Sequence, residues 1–488
     1  MTKFSERPSY KWWVLAVVQC SFMLVGVDST IVNLALPTIS REMGADLAAA
    51  QWTIAAYFTA TAVMLPMAGR MADAFGLKKV FLIGFGIFTV SSLGCGLAPN
   101  LEVLIAMRIV QAVGAAALLA NSNVIALGVF PLKQHSLAMG LNGTTFSLGF
   151  GLGYTLGGFL IEWFGWRSIF LVNVPIGLMA MGLGIYVLVE EKIRRVKPEK
   201  VPFDIFGAVL SVAALAFIMV SLDRMSERGG VTLPLLALLA AGVAGVVAFV
   251  WVERRTRYPL LDLRLFRIGD FTMGLITRWL SNASFTACAF MIPFYTQTVL
   301  GFSPIESGLM MLPFAVMFAV AGPLSGRAAD KIGGRYLTFA GFASSGVAFV
   351  ILSFLGTSQG DQRSLVMQVA VGMALLGLGS GLFISPNSGI TLDSVPKEKS
   401  GAAAGLLYFM AFLGSATGTA YAAAMLAGGL REHGGLASLH DPASRVASEG
   451  AFMQTQEFVF HTLIVLSAIG MMVCGARSRT QGPKSKNV

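Results

Sequence analysis

Asp28 and Arg108 are oppositely charged residues that lie within otherwise apolar stretches of the sequence. If both stretches are helices that cross a membrane in opposite directions, Asp28 lies roughly 24 Å from the beginning of its helix and Arg108 roughly 9 Å from the beginning of its own. Because the two helices begin at opposite surfaces of a hydrocarbon core about 30 Å thick, these distances correspond to similar depths, and the two residues can pair. A buried carboxylate beside a guanidinium can exchange protons, because burial favours the neutral acid and the guanidinium favours the anion. The alternative is a static ion pair that fixes one helix against the other.

Arg278 is a third charged residue inside an apolar stretch. It lies roughly 12 Å from the beginning of its segment. Its long side chain can extend to the membrane surface while its aliphatic part stays in lipid. Alternatively, it lines an internal cavity, where it would face an anionic group. The sequence leaves both interpretations open.

The composition indicates that these residues belong to a membrane protein. Of the 488 residues, 55% are hydrophobic and 12% are charged, and the mean hydropathy is +0.73. Soluble domains contain about 25% charged residues. The net charge of +10 could suggest nucleic-acid binding, but the lysines and arginines occur in short runs between apolar stretches, which is typical of membrane topology.

Fourteen apolar segments are each long enough to cross a membrane, which requires about 20 residues. They are about 12–36, 50–68, 79–98, 102–129, 137–160, 168–189, 204–222, 232–252, 270–298, 306–326, 336–356, 365–386, 401–427 and 456–475. Because lipid offers the backbone no hydrogen-bond partners, each segment must be helical. The sequence therefore predicts an all-α membrane protein.

The positions of the basic residues predict how the chain is oriented. With the N-terminus in the cytoplasm, the cytoplasmic loops and both termini contain most of the 35 lysines and arginines. The outer loops contain only Arg41, Arg167, Arg224, Arg228, Arg363, Arg431 and Arg445. Since basic loops stay on the cytoplasmic side, we expect a cell (inner) membrane protein with both termini in the cytoplasm.

Residues 66–78 are repeated at 323–335, with Pro, two Gly, Arg, Ala and Asp conserved between the copies at one constant spacing. Both copies follow an even-numbered segment, so the repeats have the same orientation. The sequence therefore predicts two parallel six-helix halves, 1–189 and 261–488, joined by a linker with two inserted helices, 190–260. Parallel repeats about an axis along the membrane normal are the plan of secondary transporters that rock around a central site.

Several motifs occur in the order typical of one transporter family. The stretch Gly69-x-x-x-Asp73-x-x-Gly76-x-Lys78-Lys79 resembles the loop signature of the major facilitator superfamily. Four further stretches resemble its fourteen-helix drug:proton antiporter branch, the QacA/EmrB type: Asp28–Pro37, Arg108 with Gln111, Trp166–Pro175 and Pro259–Phe266. The resemblance implies the major facilitator fold. It also implies that Asp28 is protonated during transport and that Arg108 modulates this step.

The repeated loop is a candidate conformational lock. Its charges would hold the halves together at the cytoplasmic face and separate during transport, and simple solvation of the loop is the alternative. The candidate residues are Gly69, Arg70, Asp73, Gly76 and Lys78 in the first copy and Gly326, Arg327, Asp330, Gly333 and Arg335 in the second.

The fifth segment contains small residues on one face, which favours close helix packing. They are Gly149, Gly153, Gly157 and Gly158. In the family that the chain resembles, this motif reads Gly-Pro-x-x-Gly-Gly and is associated with antiport. Here Tyr154 replaces the proline, and Ala112 replaces a glycine usual in the fourth segment. This departure leaves the direction of transport open.

The substrate cavity is expected to be mostly apolar and aromatic, with a few polar groups. The candidates are Trp52, Tyr57, Gln111, Tyr154, Arg278, Phe290, Tyr295, Asn387 and Tyr408. For each of them, lipid-facing or packing roles are the alternative.

Together these features predict a proton-coupled exporter of drugs or other hydrophobic small molecules that works by alternating access. Export or flipping of one endogenous lipid or metabolite, or import, are the alternatives. An enzyme is disfavoured because HExxH, GxSxG and GxxxxGK[ST] are absent, and a receptor would leave the repeat unexplained. We expect a monomer without cofactor or metal. Its partners would be the substrate, protons and membrane lipid, with a membrane-fusion protein and an outer-membrane channel as further candidates.

Overall fold

The computed structural model describes residues 6–7, 9–45, 47–131, 134–193, 232–255, 263–356, 361–396, 399–431 and 445–477, together with Gly207, Leu210, Ala213, Ala214, Phe217, Ile218 and Ser221. Regular structure in these parts is helical. The long helices are α1 (Tyr10–Met43), α2 (Trp52–Phe75), α3 (Leu77–Gly96), α4 (Leu101–Val129), α5 (His135–Phe164), α6 (Asn173–Val187), α7 (Leu233–Arg255), α8 (Gly269–Phe294), α9 (Leu312–Ile332), α10 (Gly334–Ser353), α11 (Gln362–Asp393), α12 (Ser400–Arg431) and α13 (Arg445–Ala476).

Within the described residues, 12 helical spans are long and apolar enough to cross a membrane. Helix α8, which contains Asp270 and Arg278, is not among them. The predicted segment 204–222 lies mostly outside the described residues, but its described positions are helical, and Ile218 packs against Gly242 of α7. The all-α prediction is therefore confirmed, and the predicted count of fourteen helices is compatible with the structure.

Prolines explain several differences between the predicted segments and the helices. The sixth predicted segment is interrupted at Val172 and the tenth at Met311. Pro175 and Pro313 lie in the first turns of the helices that follow these breaks. A π-helical turn follows Pro293 at the end of α8. Because proline has no backbone N–H to donate, the helical hydrogen bonds are interrupted near each of these positions.

The first six helices and the last six pack with the same pattern of neighbours. Helix α1 packs on α5, α2 on α4, and α3 on both α4 and α6. In the same order, α8 packs on α12, α9 on α11, and α10 on both α11 and α13. The first bundle, α1–α6, and the second bundle, α8–α13, are therefore two copies of one arrangement.

The two bundles meet along two equivalent seams. Helix α2 packs against α12, and α5 packs against α9 and the short helix Pro304–Met310. Phe58 contacts Phe412 across the first seam, with ring centroids 5.9 Å apart. In the second, the backbone of Gly151 lies so close to Ala315 that a Cβ on the glycine would overlap it. The seams thus place α2, α5 and their counterparts at the centre of the molecule.

Both copies of the repeated loop lie at the same end of the molecule, which we call the motif side. The first loop joins α2 to α3 and the second joins α9 to α10. At the opposite end, the far side, the Glu162 carboxylate at the end of α5 accepts from the Ile305 backbone N–H at 3.1 Å. Gln297 donates to the Leu34 carbonyl at 3.1 Å, also across the bundles. These contacts close the bundles together at the far side.

Candidate functional site

The Asp28 carboxylate lies at the centre of the first bundle and is fully buried. Oδ2 accepts from Arg108 Nη1 at 2.7 Å. Oδ1 accepts from Gln111 Nε2 at 2.9 Å and from Asn173 Nδ2 at 3.1 Å. Helix α1 therefore presents its carboxylate to three donors from α4 and the beginning of α6.

Arg108 is held by further contacts from neighbouring helices. Nε donates to the Thr53 carbonyl of α2 at 2.9 Å, and Nη1 also donates to Gln111 Oε1 at 2.7 Å. The guanidinium carbon lies 3.9 Å from the centre of the Tyr57 ring, which is a cation–π arrangement. Gln111 in turn donates to Ser92 of α3 at 2.8 Å. Five helices thus contribute to this group of residues, which we call the Asp28 cluster.

The geometry links protonation of Asp28 to the packing of α1. An ionised carboxylate accepts at every position, whereas the neutral acid carries an O–H donor that must face an acceptor. The three groups that donate to Asp28 are N–H groups, and the Tyr57 hydroxyl lies beside the carboxylate as a fourth neighbour. A proton on Asp28 would remove the charge that strengthens the three hydrogen bonds and so weaken the contact of α1 with α4 and α6.

The predicted aromatic candidates lie in different parts of the molecule. Tyr57 belongs to the Asp28 cluster, with its hydroxyl beside the carboxylate. Tyr154 is fully buried on α5, and Phe290 and Tyr295 are fully buried at the end of α8. Trp52 is half-buried at the beginning of α2.

Tyr154, the residue that replaces the family's proline, is an interface residue. Its hydroxyl lies close to the Asn33 side chain of α1 and near enough to Cys288 of α8 for an electrostatic interaction. Its carbonyl oxygen lies 2.7 Å from the point where a Cβ on Gly308 would stand. The tyrosine therefore fills space between the bundles near the far side.

The glycines of α5 serve two different contacts. A Cβ on Gly149 or Gly153 would lie 2.9 Å from the Met23 carbonyl or 2.7 Å from the Val27 carbonyl of α1. A Cβ on Gly157 would lie 2.8 Å from Ile31 of the same helix. In contrast, Gly158 faces the Pro304 carbonyl, 2.6 Å from its virtual Cβ, in the second bundle. Three glycines thus bring α5 against α1, and the fourth packs against the second bundle.

Both loop motifs bend at a glycine with a left-handed backbone. Gly76 has φ +102° and Gly333 has φ +90°, which other residues rarely adopt. The Glu190 carboxylate accepts from the Leu77 and Lys78 backbone N–H groups at 2.9 and 2.7 Å, and so caps α3.

The described hydrogen bonds of Lys78 and Arg335 each stay within one bundle. The Lys78 ammonium donates to the Ile185 carbonyl at 3.0 Å. Arg335 donates to the Gly475 carbonyl at the end of α13. Arg70 is half-buried and Asp73 is exposed, Gly69, Gly326 and Arg327 lie on the last turns of α2 and α9, and the Asp330 side chain is outside the description.

Asn387 lies in a second buried polar group, at the motif side of the second bundle. Its Oδ1 accepts from Arg477 at 2.7 Å and from Thr277 at 3.2 Å, and its Nδ2 donates to the Gly274 carbonyl at 3.1 Å. Arg477 also donates to Thr391 at 2.8 Å. This group joins the end of α13 to α8 and α11, apart from the other cavity candidates.

Several buried polar residues that the structure brings together had no predicted role. Asn173 occurs in a quoted motif, but nothing in the sequence brings it to Asp28, which lies 145 positions earlier. Asn123 and Asn142 are amides inside apolar segments, and their side chains bond at 2.9 Å. An amide at membrane depth is the signal that could have identified them, because it needs a partner.

The comparisons with known proteins agree with this architecture. The sequence model described as Major Facilitator Superfamily matches residues 19–419. The chain belongs to this superfamily. The all-α membrane fold with two parallel six-helix repeats is therefore confirmed as the major facilitator fold, and the protein is a multi-pass membrane transporter rather than an enzyme.

Curated superfamily members similar to this chain include exporters and a vitamin transporter. "Multidrug resistance protein Stp" of Mycobacterium tuberculosis is 32% identical over 83% of this chain and 74% of the relative. "Tetracenomycin C resistance and export protein" of Streptomyces glaucescens is 30% identical over 85% of this chain and 76% of the relative. "Riboflavin transporter RibZ" of Clostridioides difficile is 30% identical over 93% of this chain and 96% of the relative.

Among solved superfamily structures, the chain is similar to a bacterial homolog of the human lysosomal transporter Spinster, in an inward-facing and unoccupied conformation. The TM-score is 0.65 over 96% of this chain and 98% of that one, at 15% sequence identity. This likeness concerns the fold alone.

Proposed function

We propose that this protein is a proton-coupled exporter of small molecules, of the fourteen-helix drug:proton antiporter type, in the inner membrane with both termini in the cytoplasm. The observation that carries the proposal is the Asp28 cluster, a fully buried carboxylate in contact with Arg108, Gln111 and Asn173. Buried ion pairs contribute little net stability because desolvation offsets their attraction. A charge retained at membrane depth therefore points to function. Similarity to a multidrug resistance protein and to a resistance and export protein supports the outward direction.

The coupling step follows from the geometry of the cluster. With Asp28 ionised, α1 is tied to α4 and α6 through three hydrogen bonds. Protonation removes the charge that strengthens these bonds, which favours a different packing of α1. Because α1 also packs closely on α5, which lies at a seam between the bundles, a change in α1 reaches that seam. Proton binding thereby shifts the population between inward- and outward-facing states.

The loop motifs complete the proposal as a lock at the motif side. Charges at the ends of α2 and α9 would hold the bundles together in one state only. A contact present in one state shifts the equilibrium by its differential free energy.

Transport of a single metabolite is the second candidate function. Tyr154 fills the interface where the family's antiport motif has proline, and one relative, similar over nearly its full length, is named a riboflavin transporter. These two observations favour a narrow substrate range, or uptake.

Everted membrane vesicles test the proposal, because export accumulates substrate inside them. We would measure accumulation of flavin mononucleotide, riboflavin and ethidium, which are an anion, a neutral molecule and a cation. At least one probe should accumulate under an imposed proton gradient, and a protonophore should abolish this. Asp28→Asn keeps the shape of the side chain but cannot exchange a proton, so accumulation should fall to background.

Asp393→Asn is the matched control, because Asp393 is exposed at the end of α11. This variant should accumulate the probe as the wild type does. Protonophore-insensitive accumulation, or wild-type accumulation by Asp28→Asn with an unchanged pH profile, would mean that the proton pathway does not use Asp28.

A further inference from the structure

Arg278 is a buried cation with no acidic partner in the described part of the chain. Its side chain is 8% exposed, and neither Nε nor Nη1 has a hydrogen-bond partner among the described residues. In this conformation the guanidinium is therefore inside the protein and not at a membrane surface. Burial of an unpaired charge is costly, and membrane proteins retain such charges where they serve function.

The cation lies in a layer of polar side chains drawn from both bundles. The Tyr408 hydroxyl of α12 is close enough to Arg278 to interact with its charge, and the Asn123 side chain of α4 lies next to the same hydroxyl. Asn142 of α5 donates to Asn123 at 2.9 Å, and Gln19 of α1 donates to Asn142 at 3.0 Å. Along their helix axes, all five residues lie between about 9 and 14 Å from the motif-side ends. We call this group the polar layer.

The charge balance of the buried residues leaves Arg278 uncompensated. Among the described residues, the fully buried carboxylates are Asp28, which pairs with Arg108, and Glu253 on α7. Arg477 is the third buried arginine among the described residues, and it donates to carbonyl and side-chain oxygens of the second bundle. The interior where the bundles meet is therefore positive at the polar layer.

The chemistry of the layer suits an oxyanion. A guanidinium presents N–H groups in a planar fork that matches carboxylate and phosphate oxygens. Tyrosine hydroxyl and asparagine amide groups are further donors. An entering anion would neutralise the buried charge, whereas a cation would add to it.

We propose that Arg278, Tyr408 and Asn123 bind an anionic group of the transported molecule, a carboxylate or a phosphate monoester. The inference rests on the proposed transport function and names its substrate class. Because Arg278 and Tyr408 belong to the second bundle and Asn123 to the first, the bound anion bridges two bodies that move relative to one another during alternating access. Binding then reports directly on the conformational state.

The test is equilibrium binding to the full-length protein in nanodiscs of phosphatidylcholine, a lipid without net charge. Two probe pairs differ only in the acid group: flavin mononucleotide with riboflavin, and salicylate with salicylamide. For at least one pair, the anion should bind about tenfold more tightly than its neutral partner, as expected for a charge-assisted hydrogen bond. Arg278→Gln should abolish this preference, and Arg278→Lys should keep part of it.

Arg267→Gln is the matched control, because Arg267 is exposed just before α8. It should leave both affinities unchanged. The proposal is overturned if neither anion is preferred, or if the preference survives Arg278→Gln.

A lipid headgroup is a second source of an anionic phosphate oxygen, in the form of a phosphodiester. In nanodiscs that contain phosphatidylglycerol, competition with the probe anion would identify a lipid as the ligand of this site. Unchanged affinity would identify a soluble anion.

Thermal unfolding without ligand separates a binding role from a structural one. If Arg278 awaits an anion, Arg278→Met removes an uncompensated charge and should keep or raise the midpoint. Arg477→Met should lower it, because Arg477 is hydrogen-bonded within the fold. A large loss of stability in Arg278→Met would contradict the proposal. None of these measurements uses a proton gradient, so they stand or fall independently of the proposed coupling at Asp28.

Discussion

The Arg108 guanidinium supplies both a positive charge and directed hydrogen bonds to the Asp28 cluster. Its charge favours the ionised carboxylate, and its planar group also bonds the Thr53 carbonyl and covers the Tyr57 ring. Two substitutions separate these contributions. Arg108→Ala removes both, whereas Arg108→Lys keeps the charge and loses the planar donors.

We expect Arg108→Ala to reduce gradient-driven flux to background, because the Asp28 carboxylate loses the donor that lies 2.7 Å from its Oδ2 and the contact of α1 with α4 is weakened. Arg108→Lys should keep part of the flux, since it retains the charge but loses the planar donors. Flux measured in proteoliposomes, with the probe identified in vesicles, tests both.

Removing one partner of a buried pair costs about 3–5 kcal/mol of stability, so the folded fraction of each variant must be measured by size exclusion. Arg167→Ala is the control, since Arg167 is 45% exposed. Unchanged flux in folded Arg108→Ala would mean that the ion pair is static.

Part of the Asp28 cluster could be predicted from the sequence. The depths of Asp28 and Arg108 along two antiparallel helices indicated that they could meet. In the structure, Arg108 Nη1 lies 2.7 Å from Asp28 Oδ2. Their role in proton coupling stays a prediction. Gln111, proposed for the substrate cavity, instead bonds both members of the pair. Asn173 could not be identified, because contacts between distant helices depend on how the whole bundle packs.

Among the elements, α5 depends most directly on small residues. It packs along α1 through glycines, and Thr30 of α1 donates to the Phe150 carbonyl at 2.9 Å across this contact. Such close approach lets the backbones gain dispersion contacts that lipid would otherwise provide. Because α5 also packs on the second bundle, this contact links the helix that carries Asp28 to the seam between the bundles.

We expect Gly153→Ala to destabilise the protein by about 1–3 kcal/mol, the usual cost of overpacking. The added Cβ would overlap Thr30 Oγ1 and lie 2.7 Å from the Val27 carbonyl, and the backbone there cannot easily move. Gly140→Ala, on the same helix with open space around it, should be neutral or slightly stabilising. Thermal unfolding in detergent compares the two, and equal midpoints would contradict close packing of α5 on α1.

Helix positions were predictable because apolar length is fixed by the bilayer, but helix ends were not. Helix α1 spans 34 residues against the predicted 12–36, and α13 begins at Arg445 against the predicted 456–475. Hydropathy detects only the part of a helix that lies in lipid. Polar turns that extend into the headgroup region and the breaks near prolines depend on backbone hydrogen bonding instead.

For the whole molecule, the repeated pattern of neighbours constrains the topology. The second bundle has the same arrangement as the first, and both repeated loops lie at the motif side. The chain between the bundles must therefore cross the membrane an even number of times. Helix α7 is one apolar span in this region, and we predict that segment 204–222 supplies the other.

The even number of crossings predicts on which side of the membrane the residues that flank segment 204–222 lie. Lys197 should lie in the cytoplasm with the other basic motif-side residues, and Ser226 should lie outside. Single cysteines introduced at these positions can be labelled in intact cells with a membrane-impermeant maleimide. Three of the four native cysteines are buried and Cys20 is half-buried, so the background should be low. We expect Ser226→Cys to react from outside and Lys197→Cys to react only after permeabilisation.

Two exposed positions calibrate the labelling. Arg363→Cys, at the far-side beginning of α11, should react from outside, and Lys79→Cys, at the beginning of α3, should be protected. If Ser226→Cys is protected while both calibrating positions behave as expected, α7 crosses alone. The two bundles would then have opposite orientations in the membrane, which contradicts the contacts at both seams. The arrangement of the bundles therefore predicts that Ser226→Cys is labelled from outside.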